Sequence, residues 1–224
     1  MDGTEKKYSI KSDFSLLSLL LIPIAVAVNF VGGQLAVALK LPFYLDTIGT
    51  ILVAMLCGPW VGGVAGLVTN LVLGIADPVY FPYAIVNVAL GLVTGILARK
   101  NFFSTWWKWI ISIILMSAIS ILTAAPITVL MFGGITGSGS SLITMTLVAT
   151  GINIWQAFFS TEIFTTGLDR IISILLTYLV IIVIPSRTLV KYPCGENYIN
   201  LKNLLSKKQE KQSEKPEDTS QDKQ

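Results

Sequence analysis

Residues 41–66, LPFYLDTIGTILVAMLCGPWVGGVAG, constrain the fold of this chain more than any other stretch. Asp46, Thr47 and Thr50 stand at the start of an apolar run that ends at Gly58-Pro59. A run that short falls below the ~20 residues a helix needs to cross a hydrocarbon core of ~30 Å. A second short run, 61–76, begins at once and stops at Asp77-Pro78. Irregular backbone inside a bilayer is tolerated only where protein or a cavity surrounds it. Interrupted apolar helices with polar residues at their mouths are therefore a way to build a solute site there. The stretch predicts a membrane protein that binds something small.

Composition narrows the class. The chain is 53% hydrophobic and 13% charged, against about 25% charged in a soluble domain. Its mean hydropathy is +0.72. The apolar runs are continuous rather than alternating, which argues for helices over a β-barrel. The mixed-charge N-terminus and the long run 14–39 read as a retained first membrane helix rather than a signal peptide. With no histidine and only Cys57 and Cys194, zinc, haem, iron–sulfur and His-based catalysis are disfavoured, as is a disulfide. We expect no metal, no cofactor and no catalytic residue. The net charge of +3, without a basic patch carrying interleaved aromatics, argues against nucleic acid.

Six spanning elements are expected, at 14–39, 44–57, 61–76, 81–98, 109–133 and 168–184. Lys6, Lys7 and Lys11, then Arg99, Lys100 and Lys108, then Arg187, Lys191 and Lys202 all fall on one side of such a bundle. The excess of Lys and Arg on that side predicts cytoplasmic termini. The segment 141–159 is apolar enough to span, but a seventh span would put the basic C-terminus outside. It is expected instead to form a helix or hairpin that dips into the outer face between helices five and six. The organisation is thus a cytoplasmic N-terminus (1–13), a membrane domain (14–187), a basic segment (188–205) and a disordered tail (206–224). The tryptophans beside Lys108 read as an interfacial anchor.

Several residues carry candidate chemistry. Asp46 is either an N-cap or a ligand group, and one carboxylate can serve both. Asp77 reads as the cap of the helix that follows. Tyr80, Phe81 and Tyr83 form either an interfacial belt or a stacking wall. Asn29, Gln34, Asn70 and Asn87 lie in apolar helices and should face the interior, since an amide in lipid is costly. Trp155, Gln156, Glu162 and Asp169 make a second polar cluster, with Glu162 also readable as a solvated loop residue and Asp169-Arg170 as an ion pair at a helix start. Ala25, Asn29 and Gly33 recur every four residues, a small-residue stripe suited to helix contact inside the bundle or with a partner.

The segments LPFYLDTIGTILVA, GPWVGGVAGLVTNLVLG and YAIVNVALGLVTGILAR together resemble the substrate-binding S component of energy-coupling factor (ECF) transporters. The resemblance covers roughly residues 14–185. It implies an all-α, six-helix integral protein of the bacterial cell membrane that captures a vitamin or related micronutrient at the outer face. It further implies partners, namely a membrane coupling subunit and two cytoplasmic ATPases. No Walker A pattern is present, so ATP hydrolysis is expected in the partners and the chain itself is not expected to be an enzyme. Mapped onto this sequence, the implied pocket comprises Tyr44, Asp46, Asn87, Trp155, Gln156 and Asp169, with Tyr83 stacking. The nearest equivalent of the family's docking motif is Ala25 with Asn29, then Gly33. Carboxylates, amides and aromatics suit a flat, neutral or positive heterocycle, which places B6-, thiamin- and nucleoside- or queuosine-like solutes ahead of pantothenate or biotin. A membrane-embedded ligand sensor and a self-sufficient carrier or channel are the alternatives.

Overall fold

The structure, a computed structural model, describes residues 10–199. The expectations for residues 1–9 and 200–224, including the tail from Ser206, lie outside the described residues. Those described form nine α-helices and no strand. They are α1 (Ile10–Asp13), α2 (Leu16–Ala38), α3 (Ile48–Cys57), α4 (Pro59–Ala76), α5 (Ala84–Arg99), α6 (Trp106–Pro126), α7 (Gly139–Ala149), α8 (Ile154–Val183) and α9 (Ser186–Leu189). A π-helical turn, Ile127–Met131, prolongs α6.

Four segments are long and apolar enough to cross a membrane: Leu16–Ala38, Pro59–Ala76, Trp106–Met131 and Ile154–Val183. The chain is accordingly a helical membrane protein. Helices α3, α5 and α7 are apolar but shorter.

Helix α3 is the hub. Every one of its residues is buried, and α2, α4, α5 and α8 all pack on it. Its length of ~15 Å, at 1.5 Å per residue, reaches about halfway through a bilayer. It stops where Gly58 takes φ 96°, a conformation that favours glycine, and Pro59 opens α4 at a position where its missing N–H costs nothing. Helices α4 and α5 approach so closely that a Cβ on Gly91 would stand 2.4 Å from the Gly62 backbone. Here small residues let backbones touch. Helix α2, by contrast, turns Leu20, Ile24, Val31 and Leu35 outward, each more than half exposed, as a lipid-facing helix must.

The stripe Ala25, Asn29, Gly33 faces inward and is buried. Asn29 donates to Thr50 Oγ1 (2.9 Å) and Thr69 Oγ1 (3.0 Å) and accepts from the Gly49 N–H (2.6 Å). A Cβ on Gly49 would overlap the Ala25 carbonyl. Of the two uses open to the stripe, contact inside the bundle is the one the structure shows.

Two expectations near the C-terminus are corrected. Over 141–159, where a helix or hairpin is expected, two helices meet at a turn: α7 ends at Ala149, Gly151 turns the chain at φ 91°, and Asn153 caps α8 by accepting from the Trp155 N–H at 2.9 Å. The last long helix therefore starts at Ile154 rather than at 168. It follows that Glu162 lies within a helix rather than in a loop, and that Asp169-Arg170 lie mid-helix rather than at a helix start.

The bundle has two unlike ends. One gathers Asp13, Gly58, the turn 100–105 and residues 184–199. Arg99 pairs there with the fully buried Asp13 at 2.5 Å. The Cys194 N–H donates to the Leu56 carbonyl at 2.9 Å, and Asn197 Nδ2 to the Ala98 carbonyl at 3.1 Å. Leu189, Tyr192, Cys194 and Tyr198 are buried beneath α3, and the two cysteines form no disulfide. The other end holds the 39–47 loop, the turn Pro78–Tyr80, the π turn and α7.

Candidate solute-binding site

At this second end a cavity of about 170 Å³ opens among Tyr44, Asp46, Thr47, Asn70, Tyr80, Tyr83, Asn87, Thr128, Ser140, Thr144, Phe158, Glu162, Thr166 and Arg170. It is built from both halves of the chain. The 39–47 loop forms one wall, α4 and α5 a second, and α8 a third.

The loop is held in an unusual shape. Lys40 and Leu45 have φ of 51° and 54°, which side chains other than glycine seldom adopt. Asp169 holds it there: its Oδ1 accepts the N–H groups of both Tyr44 (3.0 Å) and Leu45 (2.9 Å). Arg170 Nη1 adds a third tie to Thr47 Oγ1 at 2.5 Å and pairs with Asp169 Oδ2 at 3.2 Å. On the other side Gly32 lets the loop lie flat on α2, since a Cβ there would overlap the Leu45 carbonyl. Asp169 is thus a positioning residue behind the cavity wall.

With the loop so placed, the Tyr44 hydroxyl donates to Glu162 Oε1 at 2.6 Å and shares a 2.7 Å bond with Ser140 Oγ. Thr166, one turn along α8, donates to Glu162 Oε2 at 2.7 Å. Burial and the neighbouring Glu162 carboxylate push the Tyr44 phenol well above its ordinary pKa, so it stays a donor. Across the cavity the Tyr83 hydroxyl bonds Thr128 Oγ1 at 2.6 Å, and its ring stacks on Phe132 at 6.0 Å between centroids. Asn87 Nδ2 donates to Asn70 Oδ1 at 2.8 Å, and Asn70 Nδ2 donates to the Tyr80 carbonyl at 3.0 Å. The Asn87 amide oxygen is buried without a donor.

Asp46 is not the N-cap of α3. Thr47 holds that position, and its side chain makes no capping bond. Asp46 lies half-buried on the cavity wall. Burial and the nearby Asp169 raise its carboxyl to about 6, against the opposing pull of Arg170. Asp77 does act as a cap, accepting the Val79 N–H at 3.0 Å.

Of the residues expected in the pocket, Tyr44, Asp46, Tyr83 and Asn87 line the cavity. Asp169 stands behind it. Trp155 and Gln156 lie on the exposed side of the first turn of α8, where Trp155, 38% exposed, stacks on Phe159. They are turned away from the face that carries Phe158, Glu162 and Thr166. Sequence reasoning missed Thr128, Ser140 and Thr144 in the site and left Glu162 and Arg170 outside it. A signal did exist: Glu162, Thr166 and Arg170 recur every four residues, the spacing of one helix face.

The cavity offers acceptors, hydroxyls and four aromatic side chains. That chemistry suits reversible binding of a small polar molecule with a flat apolar part. The chain matches no protein-family model, no curated protein and no solved structure.

Proposed function

We propose that this chain is the solute-binding S subunit of an ECF-type importer, capturing a vitamin-like heterocycle outside a bacterial cell and delivering it with an ATP-driven module. The observation that carries the reading is one polar, aromatic-lined cavity at the end of an apolar bundle opposite its basic turns. Lys and Arg concentrate on the cytoplasmic side of membrane proteins, so this polarity supports a cavity that faces outward and is in keeping with six spans and both termini inside. The packed segment 184–199 beneath α3 supports capture over conduction, since it fills the end through which a channel would have to open. The S-component resemblance of residues 41–54, 58–74 and 83–99 supplies the partners: a coupling subunit and two ATPases.

The test is native mass spectrometry of protein purified in mild detergent, followed by co-purification with an ECF module. A vitamin- or nucleoside-sized adduct together with a stable complex is the expected result. A protein that carries and binds no small molecule sinks the reading.

A further inference from the structure

The cavity contains a charge that the protein leaves uncompensated. Glu162 is 6% exposed, and both its oxygens accept hydrogen bonds, from Tyr44 and Thr166. Those donors suit an ionised carboxylate, yet no Lys or Arg among the described residues pairs with it. Among the described residues the one base on the cavity wall, Arg170, is already committed to Asp169 and Thr47. Asp46 and Asp77 add further acid to the same lining. A buried carboxylate facing no cation is costly, and in a membrane protein such a group marks a binding site.

A further feature of the cavity fits a positive ligand. Tyr44, Tyr80, Tyr83 and Phe158 line it, and aromatic rings attract a desolvated cation. Arg170 does not reverse this balance, because its charge is neutralised by a carboxylate outside the lining.

We infer that the solute is a small organic cation, an aromatic amine or azolium, whose positive group is held at Glu162 among the tyrosine rings. This inference rests on the capture reading and narrows its ligand. Neutral heterocycles of the same shape are poor ligands, and carboxylates and phosphates are excluded by charge.

The experiment compares pairs that differ only in an ammonium for a hydroxyl. Pyridoxamine against pyridoxine is one; 5-aminomethyl- against 5-hydroxymethyl-4-amino-2-methylpyrimidine is another. Thiamin serves as an azolium probe. Binding to detergent-purified protein is measured by calorimetry beside native mass spectrometry of the co-purified solute. Expected is a preference for the cation of about tenfold or more, equivalent to ~1.4 kcal/mol, which Glu162→Gln abolishes. Neutral or anionic probes that bind as well as the cations, or a neutral co-purified solute, overturn this inference and leave the capture reading standing. Protein that carries nothing and binds no probe overturns both. The wild-type comparison needs no variant, so a Glu162→Gln protein that fails to fold leaves the inference open to refutation.

Discussion

The two ends of the bundle each hold a buried ion pair, and the cavity end adds a buried carboxylate that meets no cation among the described residues. At the closed end Asp13 meets Arg99 at 2.5 Å, and the chain from 184 to 199 packs over α3. At the cavity end Glu162 has hydrogen bonds but no counter-charge among the described residues, and the loop beside it holds two residues at positive φ. Charges that serve stability come with their partners. Charge and strain kept without compensation point to a partner that arrives from outside.

The comparison can be broken in order of expected effect. Gly95→Val at the closed end is the most severe: a Cβ there would stand 2.2 Å from the Pro59 backbone nitrogen. Neither backbone can yield, and the cost of about 3 kcal/mol or more should prevent recovery of monodisperse protein on size exclusion. Next, Asp169→Ala removes the acceptor for two loop N–H groups and leaves Arg170 uncompensated. Losing one partner of a buried pair costs about 3–5 kcal/mol, and solute affinity should fall by ~100-fold or more as the loop loses its shape; wild-type affinity would deny Asp169 its positioning role.

Third, Asp13→Ala should lower the thermal unfolding midpoint by several degrees, whereas Glu162→Gln should leave that midpoint unchanged or raise it, as trimming a functional charge often does. Equal losses in both variants would erase the distinction between the two ends. Fourth, Asp46→Asn should weaken binding about tenfold, some 1.4 kcal/mol, in a folded protein. Because burial raises this carboxyl to about 6, it is neutral below that pH. Affinity for a cation should therefore rise from pH 5 to 7 as the group ionises, and Asp46→Asn should flatten the rise. Smallest of all, Trp155→Ala, on the exposed side of α8, should change affinity less than about twofold.

Much of this architecture was legible because local signals carry it. Gly58-Pro59 and Asp77-Pro78 punctuate α3 and α4 within a few residues of where the helices end, and continuous hydrophobicity marks the long helices. The site was legible only where its residues sit beside those signals, as Tyr44, Asp46 and Asn87 do. Glu162 lies 118 positions from the tyrosine that makes it a cavity residue, and Asp169 lies 125 from the first N–H it holds. No local pattern reports such distances. Trp155 and Gln156 drew attention by residue type alone, and a helix starting at Ile154 turns them outward.

Burial of α3 along its whole length sets different rules of change for neighbouring helices. A library randomised over α2 should keep almost any apolar residue at Leu20, Ile24 or Val31 and discard polar ones, since lipid reads only hydropathy. The same library over Ile51, Val53 and Met55, all at 0% exposure, should reject even an apolar residue of the wrong size. One helix is a sentence about solvent, the other about volume.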